Sequence, residues 1–285
     1  MRDKIAAKNK TIASKRVSLR SAEQSELRSR DRDDSRRRQQ EKAHARDLAR
    51  INRQSVEIRY VEVQPARPEP LRVLYLTANP HALESRTVLP DGSIETTGVW
   101  LRVDQEVRQV KQSLRASKFR DLVSIEHLPA ATGLDMIDGL NDHRPHVVHF
   151  SGHASSWGVL LENEEGSTHG AEVGFSLLAR ALGATDEPPR LVVLNACESL
   201  EGAHDLLQTV PTVIGMSESI ADIAAVTFAA KFYAAIASAQ SVGTAVEQAK
   251  VAMQIASLDE DSQLPEIRTR EGLDPSTLIL VTPQL

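Results

Sequence analysis

The sequence predicts an α/β fold in which a mostly parallel sheet is covered by helices. Several short apolar runs, among them residues 71–77 and 190–195, are bounded by turn residues, as strands buried on both faces are. Between these runs the apolar residues recur every three or four positions, as at Val103, Val107 and Val110. Strands that alternate with helices are typical of a parallel sheet. At 285 residues the chain can form one medium domain with a substantial core and an appendage.

The individual elements follow from the same two patterns, taken in chain order. The first strand is followed by a polar loop that contains Pro90-Asp91-Gly92, and a helical stripe then begins at Val103. The predicted strands are residues 71–77, 122–128, 145–151, 157–163, 190–195, 212–216 and 277–281. The predicted helices after the first strand are residues 103–114, 133–142, 173–182, 200–209, 221–238 and 242–257.

The first part of the chain has a different composition. Residues 3–56 contain no proline or glycine, and Ile5, Ile12 and Leu19 recur every seven positions before this register decays. We predict two helices that form a hairpin, or a weak coiled coil that needs a partner. The predicted parts of the chain are a basic helical association segment at 1–60, a Pro-rich linker at 61–70 and the α/β domain at 71–285.

The formal net charge of −5 hides a strong asymmetry. Residues 1–56 hold 17 Lys or Arg and 8 Asp or Glu, whereas the remaining 229 residues hold 17 and 31. Such a split is typical of two parts with different partners. The first aromatic residue of the chain is Tyr60, so the basic helices offer no ring on which a base could stack, and we expect them to bind a protein activator or receptor. A homo-oligomer is left open, and RNA or DNA is the less favoured partner.

Cysteine usage and hydropathy restrict the compartment. A single cysteine excludes an internal disulfide framework and suits a reducing environment. The N-terminus leads into no apolar signal region, and no stretch approaches the roughly 18 apolar residues of a membrane span. We therefore expect a cytoplasmic protein that has no membrane partner.

Four histidines near residue 150 invite comparison with a metal site. His143, His146, His149 and His153 have spacings that would suit one face of a helix. Pro145 and the valines after it favour a strand instead, in which residues 146 and 149 point to opposite faces. Because the chain has one cysteine and no cluster of acids here, we expect no metal and no cofactor. His149 is then a packed or hydrogen-bonded strand residue.

Two of the apolar runs end at residues with catalytic chemistry. One is Val147-Val148-His149-Phe150-Ser151-Gly152-His153, and the other is Leu191-Val192-Val193-Leu194-Asn195-Ala196-Cys197. In open parallel sheets, ligands bind outside the carboxyl ends of the strands. The imidazole and the thiol would therefore share one edge, as a cysteine nucleophile and its base must. The alternative for Cys197 by itself is a small buried hydrophobic residue at a strand end.

With these two residues placed, the sequence resembles the CHAT domain family, caspase-like (clan CD) peptidases related to separase, over roughly residues 71–282. The matching blocks are Leu101-Arg102-Val103-Asp104-Gln105-Glu106-Val107, Val148-His149-Phe150-Ser151-Gly152-His153, Val193-Leu194-Asn195-Ala196-Cys197-Glu198-Ser199, Val213-Ile214-Gly215-Met216, Ile220-Ala221-Asp222 and Phe228-Ala229-Ala230-Lys231-Phe232-Tyr233. His153 and Cys197 are 44 residues apart, close to the roughly 50 residues of the caspase pair. The resemblance implies a caspase-like three-layer sandwich and a cysteine peptidase.

The resemblance also implies roles for individual residues. His153 and Cys197 would be the catalytic pair, and the backbone N–H groups of Ala154 and Cys197 would form the oxyanion hole. Ala154 stands where the family usually has glycine, and its Cβ narrows the backbone conformations available.

Substrate-binding residues are expected at Asp222, Glu198 and Ser217. In separase-like relatives, an aspartate at the place that matches Asp222 lines the pocket for a basic residue before the scissile bond. A carboxylate there would select Arg or Lys by a charge-assisted hydrogen bond. The alternative is that Asp222 caps the helix that opens at this point.

We therefore expect a cysteine endopeptidase that cleaves a specific protein partner in a bacterial defence or signalling pathway, after activation by a partner or by oligomerisation. The alternative is a catalytically inactive caspase-like scaffold or adaptor, which Ala154 keeps open. A nucleotide-binding module is disfavoured, because Thr77-Ala78-Asn79-Pro80 follows the first strand in place of a Gly-rich loop.

Overall fold

The computed structural model describes residues 2–53, 69–80, 85–88, 94–97, 101–165 and 169–283. The chain divides into two compact units, Met1–Pro65 and Ala66–Leu285, and each is described by itself. Most of the predicted linker Pro65-Ala66-Arg67-Pro68-Glu69-Pro70 lies outside the described residues, as does the turn Pro90-Asp91-Gly92. Within the described ranges, no helix is both long and apolar enough to cross a bilayer.

The first unit contains one continuous helix, α1 (Arg2–Arg53), where we predicted two. Strong helix formers such as Arg, Ala, Lys, Gln and Glu make up most of it, and no proline or glycine interrupts the hydrogen-bonded ladder. The aspartates near residues 31–34 lower the helix propensity without ending the helix. Every side chain from residue 8 to residue 50 is exposed. The hairpin prediction is therefore wrong, and a coiled coil with a partner stays a prediction.

The second unit is built on a mostly parallel sheet. Its strands are β1 (Leu71–Thr77), β2 (Ser85–Val88), β3 (Ile94–Thr97), β4 (Val123–Pro129), β5 (Val147–Ser151), β6 (His153–Ala154), β7 (Gly158–Leu161), β8 (Ala171–Gly174), β9 (Leu191–Asn195), β10 (Thr212–Met216) and β11 (Pro265–Thr269). Six of them form a sheet in the order β11-β10-β9-β5-β1-β4, in which β11 is antiparallel to β10 and the other neighbours pair in parallel. Strands β2 and β3 form a hairpin, and β6, β7 and β8 form a small antiparallel sheet.

Each face of the six-stranded sheet has its own hydrophobic core. The helices of this unit are α2 (Val103–Arg115), α3 (Gly133–His143), α4 (Phe175–Gly183), α5 (Ala203–Leu206), α6 (Asp222–Ile236) and α7 (Val242–Ile255). Helices α2, α6 and α7 pack on the face that includes Val73, and α3, α4 and α5 pack on the face that includes Leu74. Consecutive strand residues point to opposite faces, so a strand buried on both sides reads as a continuous apolar run. The prediction of an α/β three-layer sandwich is confirmed.

Some local predictions differ from the structure. The last strand is Pro265–Thr269 rather than residues 277–281, where Ile279 forms an isolated bridge to Ser241. Strand β11 was missed because it is a half-buried edge strand with charged residues, which gives a weak apolar signal. A hairpin replaces part of the predicted polar loop after β1. The helix predicted at 200–209 is a 3₁₀ turn, Ser199–Gly202, followed by the short α5.

Candidate active site

His153 and Cys197 follow neighbouring strands at the same edge of the sheet. Strands β5 and β9 pair in parallel, and the last paired residues are Ser151 and Asn195. Each candidate catalytic residue comes two positions after this pair. Because adjacent strands are about 4.8 Å apart, the chain reaches both residues from one short stretch of the carboxyl edge. A nucleophile and its base require such common placement.

The two side chains differ in exposure. Cys197 is a free thiol of intermediate exposure. Its exposure argues against the alternative of a buried hydrophobic residue. Its backbone N–H donates to no other group within the described part of the chain. His153 lies in β6 and is 8% exposed.

A sharp turn follows Cys197. Glu198 has a φ of 53°, in the left-handed region that residues other than glycine rarely adopt. The N–H of Glu198 donates to the carbonyl of Glu218 at 3.2 Å, which connects the loop after β9 to the loop after β10. Backbone strain of this kind persists where the surrounding structure fixes it, and it clusters at functional sites.

Ser199 fixes the far side of the same turn. Its side chain is fully buried, and its hydroxyl lies 2.7 Å from the carbonyl of Ala196 and 2.9 Å from the carbonyl of Leu194. The hydroxyl also accepts a hydrogen bond from the N–H of Met216 at 3.1 Å. A single side chain therefore connects the end of β9 to the end of β10.

The histidine loop depends on close packing at Gly152. A Cβ at this position would lie 2.5 Å from the carbonyl oxygen of Ala78, a distance that real Cβ atoms do not reach. The N–H of Ala78 donates to the carbonyl of Ser151 at 3.2 Å, so the end of β1 lies directly against this loop. Glycine is required here because of the approach of this neighbouring backbone.

The N–H of Ala154 is directed away from the small sheet. Ser155 donates to the carbonyl of Gly158 at 2.9 Å, and the pair before it joins Ala154 to Val159. Hydrogen-bonded and non-hydrogen-bonded pairs alternate along an antiparallel ladder. Ala154 therefore belongs to a non-hydrogen-bonded pair, and its N–H does not bond to β7.

A buried polar cluster lies below this edge, on the face covered by α2 and α6. Glu106 of α2 is 2% exposed and accepts hydrogen bonds from the hydroxyl of Tyr75, from Nε2 of His149 at 3.2 Å and from Nδ2 of Asn195 at 2.9 Å. The hydroxyl of Tyr233 donates to Nδ1 of His149 at 3.2 Å. The rings of His149 and Tyr75 stack with centroids 4.0 Å apart. We call these five residues the Glu106 cluster.

Burial determines the protonation of the Glu106 cluster. Desolvation lowers the pKa of His149 below its ordinary value, although the Glu106 carboxylate acts in the opposite direction. Burial and the nearby carboxylate raise the pKa values of Tyr75 and Tyr233. His149 is therefore a neutral imidazole at neutral pH, and both tyrosines keep their protons. The prediction that His149 is a hydrogen-bonded strand residue is confirmed.

The predicted substrate residues Glu198 and Ser217 follow the ends of β9 and β10. The side chain of Glu198 is exposed, directly after Cys197. Ser217 donates to the carbonyl of Leu264 through its N–H at 3.0 Å, and its hydroxyl lies 3.3 Å from the same oxygen. Among the described residues, no group of three or more His, Cys, Asp or Glu side chains is arranged to hold a metal ion.

Asp222 is the first residue of α6 rather than the residue that caps it. The cap position belongs to Ala221, whose N–H donates to the carboxylate of Asp261 at 2.9 Å. The carboxylate of Asp222 accepts a hydrogen bond from the N–H of Arg102 at 2.9 Å, at the start of α2. The helix-cap alternative for Asp222 is therefore wrong, and its role in a substrate pocket stays a prediction.

Sequence reasoning missed the residues that support the candidate pair. Glu106, Asn195 and Ser199 all lie in the blocks that carry the family resemblance, but no role was assigned to them. The available signal was the position of Glu106, which lies on the same face of α2 as the apolar stripe. A carboxylate buried on such a face must be hydrogen-bonded. Trp157 was also missed; it is 79% exposed in the turn after His153.

A sequence model of the CHAT domain family matches residues 39–266, which is most of the chain. The chain belongs to the CHAT domain family. The resemblance on which the sequence analysis relied is confirmed. No curated protein matches this CHAT domain chain.

Several solved structures are similar to the CHAT domain chain at low sequence identity. Gingipain R (RgpB) of Porphyromonas gingivalis, an Arg-specific cysteine proteinase, is 13% identical with a TM-score of 0.46, over 75% of this chain and 50% of that chain. An inactive zymogen C11 protease from Parabacteroides distasonis is 13% identical with a TM-score of 0.43, over 68% and 61%. Caspase-1 from Spodoptera frugiperda is 10% identical with a TM-score of 0.41, over 71% and 88%. The chain spans about half the length of gingipain R, and likenesses at this level assign no activity.

Proposed function

We propose that this CHAT domain chain is a cysteine endopeptidase in which Cys197 is the nucleophile and His153 is its base. The pairing of Ser151 with Asn195 carries the proposal, because it brings the two positions to one edge of the sheet from neighbouring strands. The intermediate exposure of Cys197 supports it, since a substrate carbonyl must reach the sulfur.

The chemistry is acyl transfer. His153 takes the thiol proton, and the thiolate of Cys197 attacks the scissile carbonyl carbon. The oxyanion that forms accepts hydrogen bonds from the N–H groups of Cys197 and Ala154. The N–H of Cys197 donates to no other group among the described residues, and the N–H of Ala154 does not bond to β7. Protonated His153 then gives its proton to the leaving amine, and water hydrolyses the thioester.

Substitution of the two residues tests the dyad. Cys197→Ala and His153→Ala are each expected to lower peptide cleavage by about 10³-fold or more, because the nucleophile and its base act as one unit. Cleavage of fluorogenic peptides and of candidate partner proteins is measured for each variant. The control is Ser219→Ala, an exposed position in the loop after β10. Cleavage that persists in Cys197→Ala would exclude the proposal.

The charge around the edge supports a substrate with Arg or Lys before the scissile bond. Glu198 and Glu218 are exposed, and their backbones are hydrogen-bonded to each other beside Cys197. Asp222 and Asp261 lie at the start of α6, which follows β10. Several carboxylates near one loop attract a basic side chain, and salt weakens this attraction.

The preference for a basic residue is tested at Asp222. Asp222→Asn keeps an oxygen that can accept from the N–H of Arg102 but removes the negative charge. Hydrolysis of Arg-terminated peptides is expected to fall about tenfold or more in kcat/KM, because a charge-assisted hydrogen bond is lost. Glu218→Gln removes one of the other carboxylates at this edge, and it is the control for the loss of one negative charge alone. A wild-type preference for Asp-terminated over Arg-terminated peptides would contradict the proposal.

We further propose that α1 binds a protein that activates the peptidase in a bacterial defence or signalling pathway. Its side chains from residue 8 to residue 50 are exposed, and they include Ile12, Leu19 and Leu27 at 50%, 62% and 59%. An exposed helix with apolar and basic residues and no aromatic stacking platform suits a protein partner better than a nucleic acid. The substrate would be a protein in the same pathway.

A catalytically inactive scaffold is the second candidate. It is favoured by the burial of His153, which is 8% exposed, and by Ala154 in place of the usual glycine. In that case Cys197→Ala would bind the same partners as the wild-type protein, and neither would cleave them.

A further inference from the structure

The side chain of Asn195 connects the cysteine loop to two helices. Its Nδ2 donates to Oε2 of Glu106 on α2 at 2.9 Å and to the carbonyl of Ala225 on α6 at 3.0 Å. Both amide hydrogens are therefore used, and both partners are acceptors, which fixes the orientation of the amide. Asn195 is the last residue of β9 and lies two positions before Cys197.

The amide of Asn195 is retained at a cost to stability. It is 3% exposed, and its Oδ1 accepts no hydrogen bond from the described residues. A buried oxygen without a donor is unfavourable, because it has lost its hydrogen bonds to water. An apolar residue would leave Oε2 of Glu106 and the carbonyl of Ala225 without this donor, so the buried amide serves these two acceptors.

The carboxylate of Glu106 is also expensive to bury. Its hydrogen-bond partners among the described residues are Tyr75, His149 and Asn195, which are neutral donors. A buried carboxylate without a cation is tolerated only when its oxygens are fully hydrogen-bonded. Two of these donors secure Glu106 from β1 and β5, and the third is the residue that leads into the cysteine loop.

The loop of Cys197 is thus fixed from two sides. Ser199 connects it to β10, because its hydroxyl binds the carbonyls of Leu194 and Ala196 and accepts a hydrogen bond from the N–H of Met216. Asn195 connects it to α2 and α6 on the other face of the sheet. We propose that Glu106 is a positioning residue, which sets the place of Cys197 at the sheet edge through its hydrogen bond to Asn195.

This inference rests on the proposed peptidase, and its main readout is independent of peptidase activity. The rate at which iodoacetamide alkylates Cys197 reports the position and environment of the thiol, whether or not the chain cleaves peptides. In Glu106→Gln one carboxylate oxygen becomes an amide group, so either Asn195 or the pair of Tyr75 and His149 loses its acceptor. Asn195→Ala removes the hydrogen bond to Glu106 directly, together with the one to the carbonyl of Ala225.

Both variants are expected to change the alkylation rate of Cys197 about fivefold or more. Both are also expected to lower kcat about tenfold while KM changes less than about threefold, because a misplaced nucleophile affects the chemical step more than binding. The double variant is expected to be no worse than the worse single variant, since the two residues act through one contact. If Glu106→Gln does not fold, Asn195→Ala carries the test.

Two controls separate positioning from loss of stability. Leu182→Ala opens a cavity beside α4, where Leu182 is fully buried and lies on the face of the sheet opposite Glu106. Val246→Ala opens a cavity in α7, where Val246 is buried at 2% exposure. Both controls are expected to lower the unfolding temperature and to keep the alkylation rate and kcat within about twofold of the wild-type values.

The outcomes distinguish this inference from the proposed function. If the folded Glu106→Gln and Asn195→Ala proteins have the wild-type alkylation rate and kcat, the positioning role is wrong while the peptidase stands. If Val246→Ala changes both as strongly as Glu106→Gln, the cluster acts through stability alone and the inference is also wrong. If wild-type protein cleaves nothing but the alkylation rates differ as expected, the positioning role stands and the peptidase is wrong.

Discussion

At Gly152 the backbone of the histidine loop comes so close to the end of β1 that a side chain does not fit. The carbonyl oxygen of Ala78 would lie 2.5 Å from a Cβ, and a ring atom of Phe150 would lie 2.7 Å from it. The loop must therefore move if this residue changes. His153 is the next residue, so the movement reaches the candidate base directly.

Gly152→Ala is expected to lower the free energy of unfolding by about 1–3 kcal/mol, as overpacking against backbone does. It is also expected to reduce peptide cleavage more than binding. Urea unfolding and steady-state kinetics measure the two effects. Gly133→Ala is the matched control, because nothing lies within 4 Å of a Cβ at that position. A Gly152→Ala protein as stable and as active as the Gly133→Ala protein would contradict this prediction.

Among the secondary-structure elements, β5 illustrates why a sheet interior can carry chemistry. It is buried along its whole length, yet it presents His149 to α2 and α6, where Glu106 and Tyr233 bind the ring. A neutral imidazole joins one strand and two helices in this way. Because desolvation lowers the pKa of His149, protonation of the ring opposes the folded state.

Stability is therefore expected to fall as the pH decreases from 7.5 to 5.5. Unfolded histidine takes up a proton near its ordinary pKa of about 6.5, whereas folded His149 resists protonation until a lower pH. One such group changes the free energy of unfolding by at most about 1.4 kcal/mol per pH unit. The lowered pKa values of His127 and His146 add to it in the same direction.

Urea unfolding at several pH values measures this slope. His149→Gln has no titrating ring and is expected to show a smaller slope than the wild-type protein. His204→Gln is the control, because His204 is exposed on α5. The same slope in His149→Gln as in the wild-type protein would show that His149 does not take part.

At the scale of the whole molecule, the chain combines a basic helix with an acidic α/β unit. The units Met1–Pro65 and Ala66–Leu285 each contain their own contacts. The α/β unit has hydrophobic cores on both faces of its sheet, which is what independent folding requires. The helix has exposed side chains throughout the described part and has no core of its own.

A chain of residues 66–285 is therefore expected to unfold cooperatively, with the same denaturant midpoint as the full chain within about 0.3 M. It is also expected to keep the basal rate of peptide cleavage and to lose stimulation by an activating partner. Denaturant unfolding and cleavage assays with and without candidate partners measure this. Equal stimulation of both chains would show that α1 is not the docking segment.

The sequence by itself determined the fold class, the family and nearly every buried strand, because burial on both faces produces continuous apolar runs that need no tertiary information. It also indicated His153 and Cys197, since each follows such a run. It did not determine that α1 is one helix. The residues near 31–34 have a low helix propensity, but they include no proline or glycine that would end a helix. Edge strand β11 was missed because half-buried edge strands have mixed composition.

Only the tertiary structure decided how the loop of Cys197 is fixed. Glu106 and Asn195 are 89 positions apart, and their hydrogen bond depends on how α2 packs on β9. The same holds for Asp222, whose carboxylate binds the backbone of Arg102, 120 positions away, rather than its own helix. Local patterns report which face of an element is buried, whereas a buried polar contact depends on which distant residue the packing brings opposite.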